Sequence, residues 1–71
     1  MKFESALDEA LWKRKKTNAW LVKATGLLPS TISRYRRGQG RPMLDDFILL
    51  CTALPELQKW FNESVRSLKG P

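Results

Sequence analysis

Nine lysines and arginines lie between Lys13 and Arg41, and no aspartate or glutamate interrupts them. Lys13-Arg14-Lys15-Lys16 open the stretch, Lys23 sits in its middle, and Arg34, Arg36, Arg37 and Arg41 close it. The seven acids fall outside, at positions 4, 8, 9, 45, 46, 56 and 63. A surface meant only for water mixes its signs. A segregated one suits a partner of opposite charge, here a polyanion. Within the basic stretch lie Ser30, Thr31 and Ser33, whose hydroxyls both donate and accept. Beside them is Arg34, whose forked donors match O6 and N7 of guanine. The bland alternative is a basic protein, net charge +6, kept soluble by its charge.

The composition excludes other chemistries. There is no histidine and a single cysteine, Cys51. A zinc site, a Cys/His pair or a Ser/His pair cannot be assembled in one chain from that stock. No Gly-rich phosphate cradle is present either, so neither an enzyme nor a cofactor, metal or small-molecule ligand is expected. Cys51, in ILLCTAL, reads as a small buried hydrophobe suited to a reducing cytosol. Glu4, Asp8 and Glu9 occupy the region where a signal peptide needs an apolar core. No apolar run approaches a bilayer span. The expectation is a cytoplasmic protein with no membrane partner. Seventy-one residues make one domain, 1–71, with a small core.

Five helices and no sheet must position the basic stretch. Phe3, Leu7, Ala10, Leu11 and Arg14 mark one face of a helix over 3–15. Thr17 caps a second helix that runs to Thr25, with Leu21 inward and Val22 and Thr25 beside it. Gly26 suits the left-handed residue at its end, and Leu27 follows as an apolar plug. Pro29 opens a third helix over 29–37, anchored by Ile32 with Leu28 and Tyr35 flanking. A loop of Gly38-Gln39-Gly40-Arg41-Pro42 follows. The fourth helix, 44–53, is apolar nearly all round (Leu44, Phe47, Ile48, Leu50, Cys51, with Leu54 after it) and is expected at the centre. Pro55 opens the fifth, 55–68, with a stripe of Leu57, Trp60, Phe61, Ser64, Val65 and Leu68, before Gly70-Pro71. Trp60 is expected in the core, and Trp12 and Trp20 partly buried at its edge.

Two short helices about a glycine turn, the second anchored inside and polar outside, are what a helix-turn-helix needs. An αα-hairpin of an unrelated bundle satisfies the same spacing, and the charge field favours the former. The run TNAWLVKATGLLPSTISRYRRGQGRP, followed by an apolar helix ending in TALPE, resembles the Cro and cI repressor family of temperate phages and bacterial Xre-type regulators. STISRYRRG carries most of the likeness, which covers residues 17–54, and the all-helical Cro proteins are the most similar kind.

That resemblance implies an all-α, five-helix, lambda-repressor-like domain that represses transcription. It would bind a pseudo-palindromic operator as a weak or DNA-assembled homodimer, with helix 3 in the major groove. Pro29, Ser30, Thr31, Ser33 and Arg34 then face bases. Lys15, Lys16, Thr17, Asn18, Arg36, Arg37, Gln39 and Arg41 face phosphates, with Arg36 adding to the positive field. For Lys13–Lys16 a solvated helix end is the other reading. Ala53, Leu54, Pro55, Glu56, Leu57 and Trp60 form the implied dimer surface. Leu28 and Met43 stand where the family caps helices 3 and 4, so each end forgoes about 1 kcal/mol. The alternative function is an antitoxin or adaptor that holds a protein partner on the same fold.

Overall fold

Each helix starts and stops where its end residues require. The computed structural model describes residues 1–69 and contains α1 (Phe3–Arg14), α2 (Asn18–Thr25), α3 (Pro29–Arg36), α4 (Leu44–Ala53) and α5 (Pro55–Lys69). Gly70 and Pro71 lie outside the described residues. No strand occurs among the described residues, and no helix is long and apolar enough to cross a membrane. Thr17 caps α2 by accepting the Trp20 N–H at 3.3 Å. Gly26, at φ 78°, ends that helix in the left-handed conformation. Leu54, at φ −130° and ψ 86°, leaves the helical conformation ahead of Pro55, which separates α4 from α5.

Helix α1 ends one residue earlier than its pattern predicts. Lys15 takes φ 55°, the left-handed conformation usually left to glycine. Its N–H and that of Lys16 return to the carbonyls of Trp12 and Leu11 at 3.0 Å. This turn swings Lys15 and Lys16 out at the corner between α1 and α2. Helix α3 also ends one residue early, at Arg36, with Arg37 outside it.

All five helices meet in one aliphatic core. Leu7, Leu11, Leu21, Ile32, Leu50, Leu54 and Leu57 are fully buried. Phe3, Ala6, Ala10 and Tyr35 extend this core. The Phe3 ring stands 5.8 Å from Trp60, 6.1 Å from Phe47 and 6.3 Å from Tyr35, so one α1 side chain touches aromatics of α3, α4 and α5. The radius of gyration is 11.9 Å, close to the roughly 11 Å of a packed chain this long.

Five expectations need correction. Helix α4 is not central: Leu50 is its one fully buried residue, and Leu44 (73%), Ile48 (53%) and Leu49 (40%) are exposed. Packing against α2 and α5 uses its inner side, and no element among the described residues covers the outer one. Leu28 does not flank Ile32 but is exposed, as is Trp12 at 77%. Leu68 and Phe61 lie outside the buried stripe of α5, although the Phe61 ring stands 5.3 Å from Phe47. Cys51 is half-buried rather than buried, and its partial burial pushes the thiol pKa up.

A bidentate ion pair joins α1 to α5. Arg14 Nε and Nη2 donate to the two Glu56 carboxylate oxygens at 2.8 Å each. This contact holds the Glu56 carboxyl below the usual carboxylate range. A depressed folded pKa contributes stability that is present above the unfolded value and lost as pH falls through the folded one. Glu56→Gln therefore lowers the urea midpoint at neutral pH, and the gap from the parent closes as pH falls below about 4. A gap that persisted unchanged in acid would contradict this account.

Candidate nucleic-acid interface

Packing decides which side of α3 faces outward. Ile32 and Tyr35 point into the core, three residues apart on one face. Ser30, Arg34 and Arg37 therefore lie on the opposite side and are exposed, with Ser33 and Thr31 half-buried at its margins. Pro29 is exposed at the helix start. The five residues expected to meet bases are thus all at least partly open to solvent on one short helix. Their chemistry is sparse: one proline, three small hydroxyl side chains and one arginine.

The turn before α3 satisfies its own polar groups. Gly26 N–H donates to Val22 O at 2.8 Å. The buried Thr25 hydroxyl donates to Leu21 O at 2.7 Å and accepts the Leu27 N–H at 3.2 Å. Leu27 packs against the core while Leu28 turns outward. The angle between α2 and α3 is therefore fixed from within, with no demand on solvent.

Arg36 is the residue whose role the sequence misstates. It does not project with the other cations. Its Nε donates to Asp8 of α1 at 3.0 Å, its Nη2 also reaches Asp8, and its Nη1 reaches Asn18 Oδ1 at the start of α2. One guanidinium thus ties α1, α2 and α3 together. The signal was available: Arg36 lies four residues after Ile32, on the buried face. Its charge is spent on Asp8 rather than added to the surface. Because a guanidinium only donates, Asn18 must present its oxygen to Arg36, which leaves its amide N–H groups as donors.

The remaining charges sort in the same way. Lys13 pairs with Glu9 at 3.0 Å and Arg14 with Glu56. Lys15, Lys16, Lys23, Arg34, Arg37 and Arg41 have no acidic partner among the described residues. The Lys16 ammonium stands 5.5 Å from the ring centre of the half-buried Trp20, which steadies it at the α1–α2 corner. Gln39 is exposed in the loop, with its N–H returned to Arg34 O at 3.0 Å. Thr17 is exposed and already engaged as a cap.

The residues expected to pair two copies do not form one surface. Leu54 and Leu57 are fully buried in the chain's own core, because α4 and α5 close on each other there. Ala53 and Trp60 pack at the core edge, and Trp60 Nε1 donates to Met1 O at 2.8 Å. Glu56 is held by Arg14, and Pro55 alone of the set is exposed and unengaged. Beside it runs an open groove of about 330 Å³ lined by Phe47, Ile48, Cys51, Thr52, Pro55 and Gln58. Among the described residues no three His, Cys, Asp or Glu side chains gather where they could hold a metal ion.

Tyr35 fastens this helix to α4. Its hydroxyl donates to Asp46 Oδ2 at 2.6 Å, and burial followed by this bond pushes the phenol pKa up. Tyr35→Phe keeps the ring and removes the bond, so it costs about 1–2 kcal/mol in urea unfolding. A variant as stable as the parent would show that the bond does not hold α3 to α4.

No family model, curated protein or solved structure matches this chain.

Proposed function

We propose that this chain is a sequence-specific double-stranded DNA-binding repressor in which α2 and α3 form a helix-turn-helix. The observation that carries this reading is the outer face of α3. It holds Ser30, Ser33 and Arg34, with Arg37 just after the helix, and nine of the chain's thirteen lysines and arginines lie in the acid-free stretch around it. Helix α3 lies in the major groove with its N-terminal half against base edges. Arg34 binds O6 and N7 of a guanine. Lys15, Lys16, Asn18, Arg37, Gln39 and Arg41 touch phosphates and set register and salt dependence. Arg36 acts from inside, by holding Asn18 and α1 in place.

The resemblance of residues 17–54 to the Cro and cI family supports the same reading and adds the dimer. Two copies occupy half-sites one helical turn apart, roughly 34–36 Å. Their contact falls on the exposed apolar side of α4 around Ile48 and Pro55, since Leu54 and Leu57 are inside. Repression follows from occupying a site that polymerase needs, in the cytosol of the cell that carries the operator.

Selection from random duplex DNA tests this directly. The parent is expected to enrich a two-fold motif containing guanine. Arg34→Ala then relaxes preference at that base by about 1–3 kcal/mol. Lys16→Ala weakens every sequence alike and flattens the salt dependence. Recovery of no motif, with both variants binding like the parent, would overturn the proposal.

A further inference from the structure

Leu28 is badly placed for folding and well placed for contact. It is the residue before the first turn of α3, with φ −68° and ψ 146°. Serine, threonine, aspartate or asparagine at that position would accept a free helix N–H; Leu28 makes no such bond. Nor does it pack: it is 67% exposed, while its neighbour Leu27 enters the core. No acidic residue in the first turn of α3 compensates for the missing cap. Helix α4 differs here, because its uncapped start carries Asp45 and Asp46. The chain thus holds a branched aliphatic side chain mostly in water at the start of α3, where it neither caps the helix nor enters the core.

On the DNA reading above, the neighbours define what that side chain meets. Pro29 lacks an N–H and adds a second apolar surface. Ser30, Thr31 and Ser33 are short, so nothing beyond Leu28 keeps the helix start away from the floor of a groove. In the major groove of unmodified DNA the apolar feature of a base edge is the C5-methyl of thymine. We propose that Leu28, with Pro29 beside it, reads a thymine methyl in each half-site. The six residues from Leu28 to Arg34 rise roughly 9 Å along the helix. That thymine lies in the same half-site as the guanine held by Arg34.

Deoxyuridine, which differs from thymidine only by this methyl, supplies the test. The parent and Leu28→Ala are titrated against the selected duplex and against copies with each thymine replaced in turn. One replacement per half-site is expected to weaken the parent about fourfold, the worth of one buried carbon. The same replacement leaves Leu28→Ala unchanged, and that variant stays folded at the titration temperature, because Leu28 is mostly exposed and outside the core. A parent indifferent to every replacement, or a variant with the parent's full deoxyuridine penalty, overturns the thymine contact alone. Failure of the parent to prefer any duplex over random competitor overturns the DNA reading beneath it.

Discussion

Five helices share one aliphatic core of seven fully buried side chains, and every other arrangement in the molecule follows from that economy. Helix α2 contributes Leu21, α3 contributes Ile32 and α4 contributes Leu50. With a single fully buried anchor apiece, none of these helices can be placed by apolar contact alone. A domain of this size buries only about 60% of the surface its unfolded chain exposes, so it cannot cover both sides of any helix. The exposed outer side of α4 is a direct result.

Directional contacts supply the placement that apolar burial leaves open. Arg36 joins three helices, Arg14 joins α1 to α5, and Tyr35 joins α3 to α4. Each runs between helices that the core brings near without fixing their rotation. The ion pairs also reshape the electrostatics. Lys13, Arg14 and Arg36 are neutralised by Glu9, Glu56 and Asp8. Of the cations left, Lys15, Lys16, Lys23, Arg34, Arg37 and Arg41 lie on the α1–α2 corner, the outer parts of α2 and α3, and the following loop, while Lys2, Lys59, Arg66 and Lys69 lie elsewhere. The net charge therefore understates how local the positive field is.

The helices were legible because their signals are local. Thr17, Gly26, Pro29 and Pro55 each mark an end within a residue or two of where it falls, and the spacing of Leu7, Leu11, Leu21 and Ile32 marks the inner faces. What sequence could not resolve was set by contacts between distant residues. Arg14 and Glu56 are 42 residues apart, and Arg36 and Asp8 are 28 apart. No periodicity reports such a meeting. The reading of α4 as central failed for a related reason: apolar content shows what could be buried, not which neighbours pack against it, and the α4 backbone runs close only to α2 and α5. Leu54 and Leu57 were assigned to a surface on family likeness, whereas the closure of α4 on α5 makes them core. The outward side of α3 was legible because Ile32 and Tyr35 fix which way the helix is turned.

The brevity of α3 has a thermodynamic consequence. It is eight residues long, and its two buried anchors, Ile32 and Tyr35, are the fourth and seventh of them. An isolated helix of that length is not stable in water. Its first three residues, Pro29 to Thr31, carry no fully buried side chain, and no side chain caps its start. That turn is held mainly by the one behind it, so it is the part of the helix most free to open and close. A partner that engages it restricts that opening. Part of the binding entropy is then conformational, and the heat-capacity change on binding exceeds what the contact area of two rigid bodies accounts for.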